Sequence, residues 1–412
     1  MSLPRVVYWN NIPSPYVVGR FNAVARRGNL EFEAWFNEPR ERDRSWDVSE
    51  ADWEFPARYI PLRLFGGRRL RLPVPEMRST RPDMLVSLHA SLSFALGSMV
   101  ARAQGARTAL RVLPTFDAWV RRSASKELSK HFLFRTVDGV KVPGRDGARM
   151  AQHYGVPYSR ICPVTQSIDV RHYGRALDVD DAWRTKRCAE LGLRGCVFLF
   201  VGRLWSGKGL DYLFEAYRSL LRQCPDTSLL LVGDGVDENQ YRTLARDLPG
   251  VSFAGFVQSP NLPEYYALAD VLVFPTLGDP HGLVVEEAMA AGLPVICTEA
   301  AGDIRRRLPE GEAGYVIPPM DATCLADRMV LLARDGKLRK GLASKALQLV
   351  ADRSHERWAV DFEAFVERIL SLPPRRSPQA IAAATAGRLV LGAAGGSDPP
   401  SPLVSYGRGQ MA

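Results

Sequence analysis

The chain has 412 residues, 46% of them hydrophobic and 24% charged. At roughly 100–200 residues per domain this gives two domains with ample material for buried cores, excluding a single small module, a collagen-like chain and a largely disordered one. The net charge of +9 invites a nucleic-acid partner, but only eight of the 54 cations are lysines; the evenly spread arginines read as compositional bias, leaving nucleotides, phosphates or an anionic membrane as the functional partners of that charge.

In chain order, Met1-Ser2-Leu3-Pro4-Arg5 leads straight into a strand, Arg5–Trp9, without the apolar stretch of a secretory leader. A cytosolic protein is expected, and the six scattered cysteines, with no close pair, fit reduced thiols. Further strands are predicted at Glu31–Phe36, Met84–His89, Thr108–Val112, Val137–Pro143 and Ile161–Thr165, separated by amphipathic stretches. Ser14 followed by Pro15 reads as an N-cap and first helical residue. The longest apolar run, Leu85–Ala101, is broken by His89, serines and Gly97 and is too short and polar for a membrane span.

Around Arg171–Glu190, with its acidic run Asp178–Asp181, no strong strand appears, and this stretch is expected to link two domains, 1–175 and 176–355. A second series follows at Val197–Gly202, Ser228–Gly233, Val251–Phe256, Val271–Pro275, Pro294–Thr298 and Gly314–Ile317. Strands alternating with helices, twice over, predict two doubly wound α/β domains with parallel sheets, whose strand carboxyl ends face each other across a ligand-binding cleft. A terminal helix, 356–372, is expected to pack back on the first domain, and the Pro-, Gly- and Ala-rich 373–412 is read as a disordered tail.

Two segments carry chemistry. Val197–Gly209 is a buried strand, a glycine-bearing turn with Arg203 and Lys208, and a helix start near Leu210. Such a turn binds phosphate through backbone N–H groups, the helix dipole and fixed cations. Gly202, four residues, then Gly207-Lys208 matches most of a triphosphatase P-loop, but Gly209 stands where a magnesium-binding hydroxyl belongs. After the strand Val271–Pro275, the loop Leu277-Gly278-Asp279-Pro280-His281-Gly282 leads into a helix with Glu286 and Glu287. One carboxylate of that set suits a ribose and another a sugar hydroxyl; the same acids also suit caps and a helix first turn.

These residues resemble the retaining nucleotide-sugar glycosyltransferases of family 4, which have the two-domain GT-B fold. The resemblance is strongest over Val197–Pro319, through Val201-Gly202-Arg203 to Lys208-Gly209, Leu231–Gly235 and Gly282–Val295; it is looser at Asn11–Tyr16 and Val142–Ala148. It implies that Arg203 and Lys208 bind a donor diphosphate, Glu287 the ribose, and the backbone of Gly282 and Leu283 a phosphate oxygen. Gly233 and His281 would lie on the donor side, Phe256 and Val257 near the base. Asp279 stands where the family usually has the first of two glutamates separated by seven residues, one methylene shorter.

The family's chemistry is same-face attack on the donor sugar, with the diphosphate oxygen taking the acceptor proton and no metal expected. Where the family often has a functional histidine, this chain has Asp117, either a hydroxyl ligand or the cap of a following helix. His89 is its rival, either there or simply a satisfied buried histidine. The loop of Asn11, Pro13 and Ser14 is expected beside the diphosphate. Two cationic, apolar stretches, Phe65–Leu72 and Arg121–Arg135, the latter with Leu128, Phe132 and Phe134 near one side, suit an anionic membrane surface or a core-facing helix. The expected acceptor is a glycan or lipid-linked sugar in surface polysaccharide or glycolipid synthesis. The rivals are a nucleotide-sugar epimerase of the same architecture and a nucleotide-binding scaffold without turnover.

Overall fold

The computed structural model describes residues 2–40, 46–65, 68–88, 92–113, 124–393 and 400–404. These fall into two compact units, one built from the segments up to Ser167 and from His355 onward, the other from Ile168–Ser354. The first sheet holds β1 (Arg5–Asn10), β2 (Glu31–Phe36), β3 (Ala57–Tyr59), β6 (Met84–Leu88), β7 (Arg107–Arg111), β8 (Gly139–Val142) and β9 (Ile161–Pro163), in the order β3-β2-β1-β6-β7-β8-β9 and parallel throughout. A hairpin of β4 (Arg63–Phe65) and β5 (Arg68–Leu70) stands apart from it. The strands read as unbroken apolar runs because helices cover both faces: Val6, Val7, Tyr8 and Trp9 are all buried.

The second sheet holds β10 (Cys196–Val201), β11 (Thr227–Val232), β12 (Val251–Gly255), β13 (Val271–Phe274), β14 (Val295–Thr298) and β15 (Gly314–Ile317), all parallel, ordered β12-β11-β10-β13-β14-β15. The two α/β units and their parallel sheets are as expected. The three-residue strands β3, β4 and β5 were not, being too short to show a period.

The chain does not pass between units through an irregular linker at 171–190. Val170–Gly174 and Asp181–Glu190 are helical, and the first packs on the helix Val284–Ala290 inside the second unit. The acidic run is a helix start: Asp180 accepts a hydrogen bond from the Trp183 N–H at 2.8 Å. The chain passes out at Ser167–Ile168, and back at Ser354–His355.

The returning helix, His355–Ser371, completes the first core with Trp358, Phe362, Phe365 and Ile369 packed among Tyr8, Phe21 and Phe32. The expected disordered tail is also partly built. Pro378–Ala393 is an alanine-rich helix, a composition that favours helix, lying against the helix Leu92–Ala103. Beyond it, Ser401 donates through both its N–H and its hydroxyl to the buried Glu76, and Val404 pairs with Ala57 of β3.

Candidate functional site

Strand order in the second sheet reverses between β10 and β13, and at such a switch point the loops leaving the two carboxyl ends diverge and open a crevice. Both chemistry-bearing segments leave the sheet there. After β10 the chain turns through Gly202, makes a single 3₁₀ turn at Ser206–Lys208, and starts the helix Leu210–Leu221 at Gly209. Gly209 has φ +70°, and a Cβ on it would sit 2.0 Å from the Pro275 carbonyl oxygen, so only glycine permits so close an approach to the loop after β13. Gly233, at the end of β11, likewise abuts the Gly202 carbonyl. The loops are stitched together: the Leu277 N–H donates to the Gly207 carbonyl at 3.0 Å, and the Leu204 N–H to the Asp234 carbonyl at 2.7 Å.

Across this seam Lys208 Nζ lies 2.5 Å from Asp279 Oδ2, both side chains largely shielded. Burial works against the Asp279 carboxylate, but Lys208, together with the N–H groups of His281 and Gly282, overrides it and holds the carboxyl below its ordinary range. Asp279 also accepts from the His281 N–H at 2.9 Å. Gly282, at φ +72°, turns the chain into the helix Val284–Ala290 with its Cα against the Phe274 ring. Leu283, next to it, occupies the N-cap. Arg203 is exposed beside the Trp205 ring, 5.7 Å from its centroid, without an ion pair among the described residues. The turn therefore combines an exposed guanidinium, an ammonium with donor capacity beyond its one carboxylate, and backbone N–H groups at two helix starts, which together suit a polyanion.

The remaining acids are inside. Glu287 is 0% exposed and accepts from the Tyr266 hydroxyl at 2.7 Å. Its neighbour Glu286 forms a buried ion pair with Arg307 at 2.5 Å, with His281 Nε2 at 3.4 Å. Burial pushes Glu286 up, yet Arg307 and His281 bring it down to about 2. His281, expected at the donor, is turned into this cluster, and Arg307 donates to its carbonyl and to that of Gly302 at 3.1 Å. Arg307 thus holds the acidic loop from beneath. Sequence reading missed it, because an arginine twenty residues beyond Glu287, in a short helix Ile304–Arg307, has no spacing that ties it to the loop.

Phe256 and Val257 follow β12 at the same sheet edge, half-buried. In the first unit, order reverses between β1 and β6. Asn11 leaves β1 there, its side-chain oxygen accepting from Asn37 at 3.0 Å. Pro13 and Ser14 are buried, and Ser14 is the N-cap of Pro15–Arg27 by position, though its side chain makes no capping bond. His89 and Asp117 lie outside the described residues. In the helix Ala124–Thr136, Leu128 is 72% exposed and Phe132 is partly so, whereas Phe134 is fully buried and does not share their side. Among the described residues no helix is long and apolar enough to cross a membrane.

Residues 195–335 match the family model described as Glycosyl transferases group 1. The phosphatidyl-myo-inositol mannosyltransferase of Mycobacterium leprae is 33% identical over 177 residues, 42% of this chain and 47% of that protein. The D-inositol 3-phosphate glycosyltransferase of Corynebacterium urealyticum is 30% identical over 246 residues, 56% of each chain. The chain spans about half the length of these curated relatives. Among solved structures, Anabaena Alr3699/HepE in complex with UDP superposes with a TM-score of 0.71 at 17% identity, covering 90% of this chain and 100% of that one. WaaG, a glycosyltransferase involved in lipopolysaccharide biosynthesis, does so with a TM-score of 0.64 at 16% identity, covering 87% and 98%. The likeness shows the fold, two Rossmann-like units of the GT-B kind.

Proposed function

We propose that the chain is a retaining glycosyltransferase of the group 1, family 4 type, moving a sugar from a nucleoside diphosphate to an acceptor hydroxyl. The observation that carries this reading is the Lys208–Asp279 pair at the switch point of the second sheet, flanked by glycine turns that admit an anion. As the anomeric bond breaks, negative charge grows on the departing diphosphate. Lys208, which keeps two N–H donors beyond its bond to Asp279, and Arg203 offset that charge, with the Gly282 and Leu283 N–H groups at a phosphate oxygen. The acceptor hydroxyl attacks the face the diphosphate leaves, and its proton passes to the diphosphate oxygen, so no protein base and no metal enter the step. Asp279 orients the sugar. Glu287 binds the ribose, a ribose hydroxyl replacing the hydrogen bond now given by Tyr266, and Phe256 and Val257 lie at the base.

UDP is the first donor nucleotide to test, because the HepE structures hold UDP, UDP and glucose, or UDP-glucose. A glycan or lipid-linked acceptor, in surface polysaccharide or glycolipid synthesis at a membrane face, is supported by the phosphatidylinositol-directed relatives and by exposed Leu128 and Phe132. The test is a panel of UDP, GDP and ADP sugars screened by thermal shift, followed by product analysis with acceptors. One nucleotide family should raise the unfolding temperature, and a glycoside of unchanged anomeric configuration should form. Donor consumption without an acceptor would favour an epimerase, and binding without any release a scaffold.

A further inference from the structure

The loop that follows β12, with Phe256 and Val257, is held by a segment from elsewhere in the second unit. His172, on the helix Val170–Gly174, places Nε2 2.8 Å from the Ser259 carbonyl oxygen, and its Nδ1 lies 2.5 Å from a terminal nitrogen of Arg175. The same nitrogen donates to the Pro260 carbonyl at 3.3 Å, while Arg175 Nε donates to the His172 carbonyl at 3.3 Å. Ser259 and Pro260 open the 3₁₀ turn Ser259–Asn261, directly beyond Phe256-Val257-Gln258. A histidine and an arginine thus clamp the backbone on which these two residues stand.

These partners leave the ring one protonation state. A carbonyl only accepts, so Nε2 carries a hydrogen; a guanidinium only donates, so Nδ1 carries none. The clamped imidazole is neutral. A proton added at Nδ1 removes the acceptor that Arg175 uses and sets a second cation against its guanidinium. Among the described residues no carboxylate lies within ion-pair distance of His172 to offset that charge. The helix packs on Arg175–Asp178, Leu262–Ala267 and Val284–Ala290, whose charged and titratable groups are engaged elsewhere or exposed. Asp169 accepts from the His172 backbone N–H at 2.9 Å, Glu286 pairs with Arg307, Glu287 accepts from Tyr266, and Tyr265 bonds to Arg187. Arg171, Asp178 and Glu264 are exposed, and the Tyr173 ring lies edge-on to Tyr266. Histidine is the side chain that gains charge between neutral and mildly acid pH. The one other histidine among the described residues of this unit, His281, sits in the Glu286–Arg307 cluster.

We infer that His172 is a positioning residue for the donor nucleotide: neutral, it holds the loop after β12 in the shape that receives the base, and protonated, it frees the loop and weakens donor binding. The link to the donor rests on the reading of Phe256 and Val257 as the base side; the clamp itself does not.

The test compares the full chain with His172→Gln and His172→Ala at about pH 7.5 and about pH 5.5. A glutamine amide can donate to Ser259 and accept from Arg175 without titrating. Hydrogen exchange of residues 256–261, corrected for the intrinsic effect of pH, should quicken in acid in the wild type, stay slow at both pH values in His172→Gln, and be fast at both in His172→Ala. UDP-, GDP- and ADP-glucose, whose diphosphates keep their charge over this range, are titrated into each. Whichever binds should bind the wild type about 5–10-fold more weakly in acid, the loss of one hydrogen bond, His172→Gln equally at both pH values, and His172→Ala weakly at both. An acid response shared by His172→Gln belongs to another group and overturns the inference, as does exchange that neither acid nor His172→Ala alters. Donor affinity indifferent to pH while the loop loosens overturns the positioning role. Failure of all three sugar nucleotides to bind the wild type overturns the donor reading and that role with it, while the exchange result still decides the clamp. Arg175→Met, at an exposed position, takes the place of His172→Ala should that variant not fold.

Discussion

At Asp279 a single methylene decides reach. A glutamate would extend further toward a bound sugar, whereas the aspartate is short enough to be held by Lys208 and the His281 N–H at once. Replacing Lys208 by alanine leaves a shielded carboxylate without its partner and, on the proposed function, removes a cation from the departing diphosphate. We expect the transfer rate constant to fall about 10²–10³-fold, on the scale of losing one preorganised charge-stabilising donor, with native circular dichroism retained. Wild-type turnover in that variant would contradict its assignment.

Glu286 makes a different prediction, in pH. Its folded-state pKa is depressed from 4.5 to about 2. Its stabilising contribution is therefore complete above 4.5 and is lost as pH falls toward 2, since the unfolded chain takes up the proton first. Urea unfolding of the wild type and Glu286→Gln from neutral pH downward should show a steeper acid loss in the wild type, the two curves converging at the acid end. Arg307→Met, which strands Glu286 buried without its cation, should cost about 3–5 kcal/mol at neutral pH. At this scale sequence alone singled out the charged residues of the two loops that meet at the switch point, Arg203, Lys208 and Asp279. It did not show that Glu286 and His281 turn inward, because that depends on Arg307 arriving from a helix whose position only the fold sets.

Among elements, legibility followed length. Strands of four or more residues covered on both faces stand out as apolar runs, and all twelve expected strands correspond to observed ones within a residue or two at most ends. The three-residue strands β3, β4 and β5, whose pairing is decided by neighbours, do not, although β9, equally short, was found as the start of the apolar run Ile161–Thr165. The tail helix Pro378–Ala393 was hidden for another reason: glycine and small residues look like a linker when they are in fact a close helix contact. A Cβ on Gly387 would lie 2.1 Å from the Met99 carbonyl oxygen. Gly387→Leu should push this helix off Leu92–Ala103 and destabilise the first unit by about 1–3 kcal/mol. Hydrogen exchange should report lost protection in both helices, with nucleotide binding unaffected; unchanged protection would show that the packing is not needed.

For the whole molecule, the doubled α/β rhythm made the two units legible and the GT-B resemblance the return of the terminal helix to the first, but the outward crossing was set too late, because polar sequence around 171–190 hides helices that belong to the second core. Among the described residues the second unit is a continuous stretch, Ile168–Ser354, while the first is assembled from both ends of the chain. A fragment spanning 168–354 should fold cooperatively and bind the donor nucleotide. A fragment ending at Ser167 should not, since it lacks Trp358, Phe362, Phe365 and Ile369 from its core, and adding the segment from His355 onward in trans should restore a cooperative transition. A sharp unfolding transition in the 1–167 fragment alone would refute this dependence.

That division also sets an order of events on the ribosome. The amino-terminal half emerges first yet must wait for the rest of the polypeptide, roughly ten to forty seconds at ~5–20 residues per second, before the aromatic helix that seals it is made. Throughout that interval its unsealed apolar strands are open to wrong pairing, so nascent-chain chaperones should be found on this half rather than on the one translated after it.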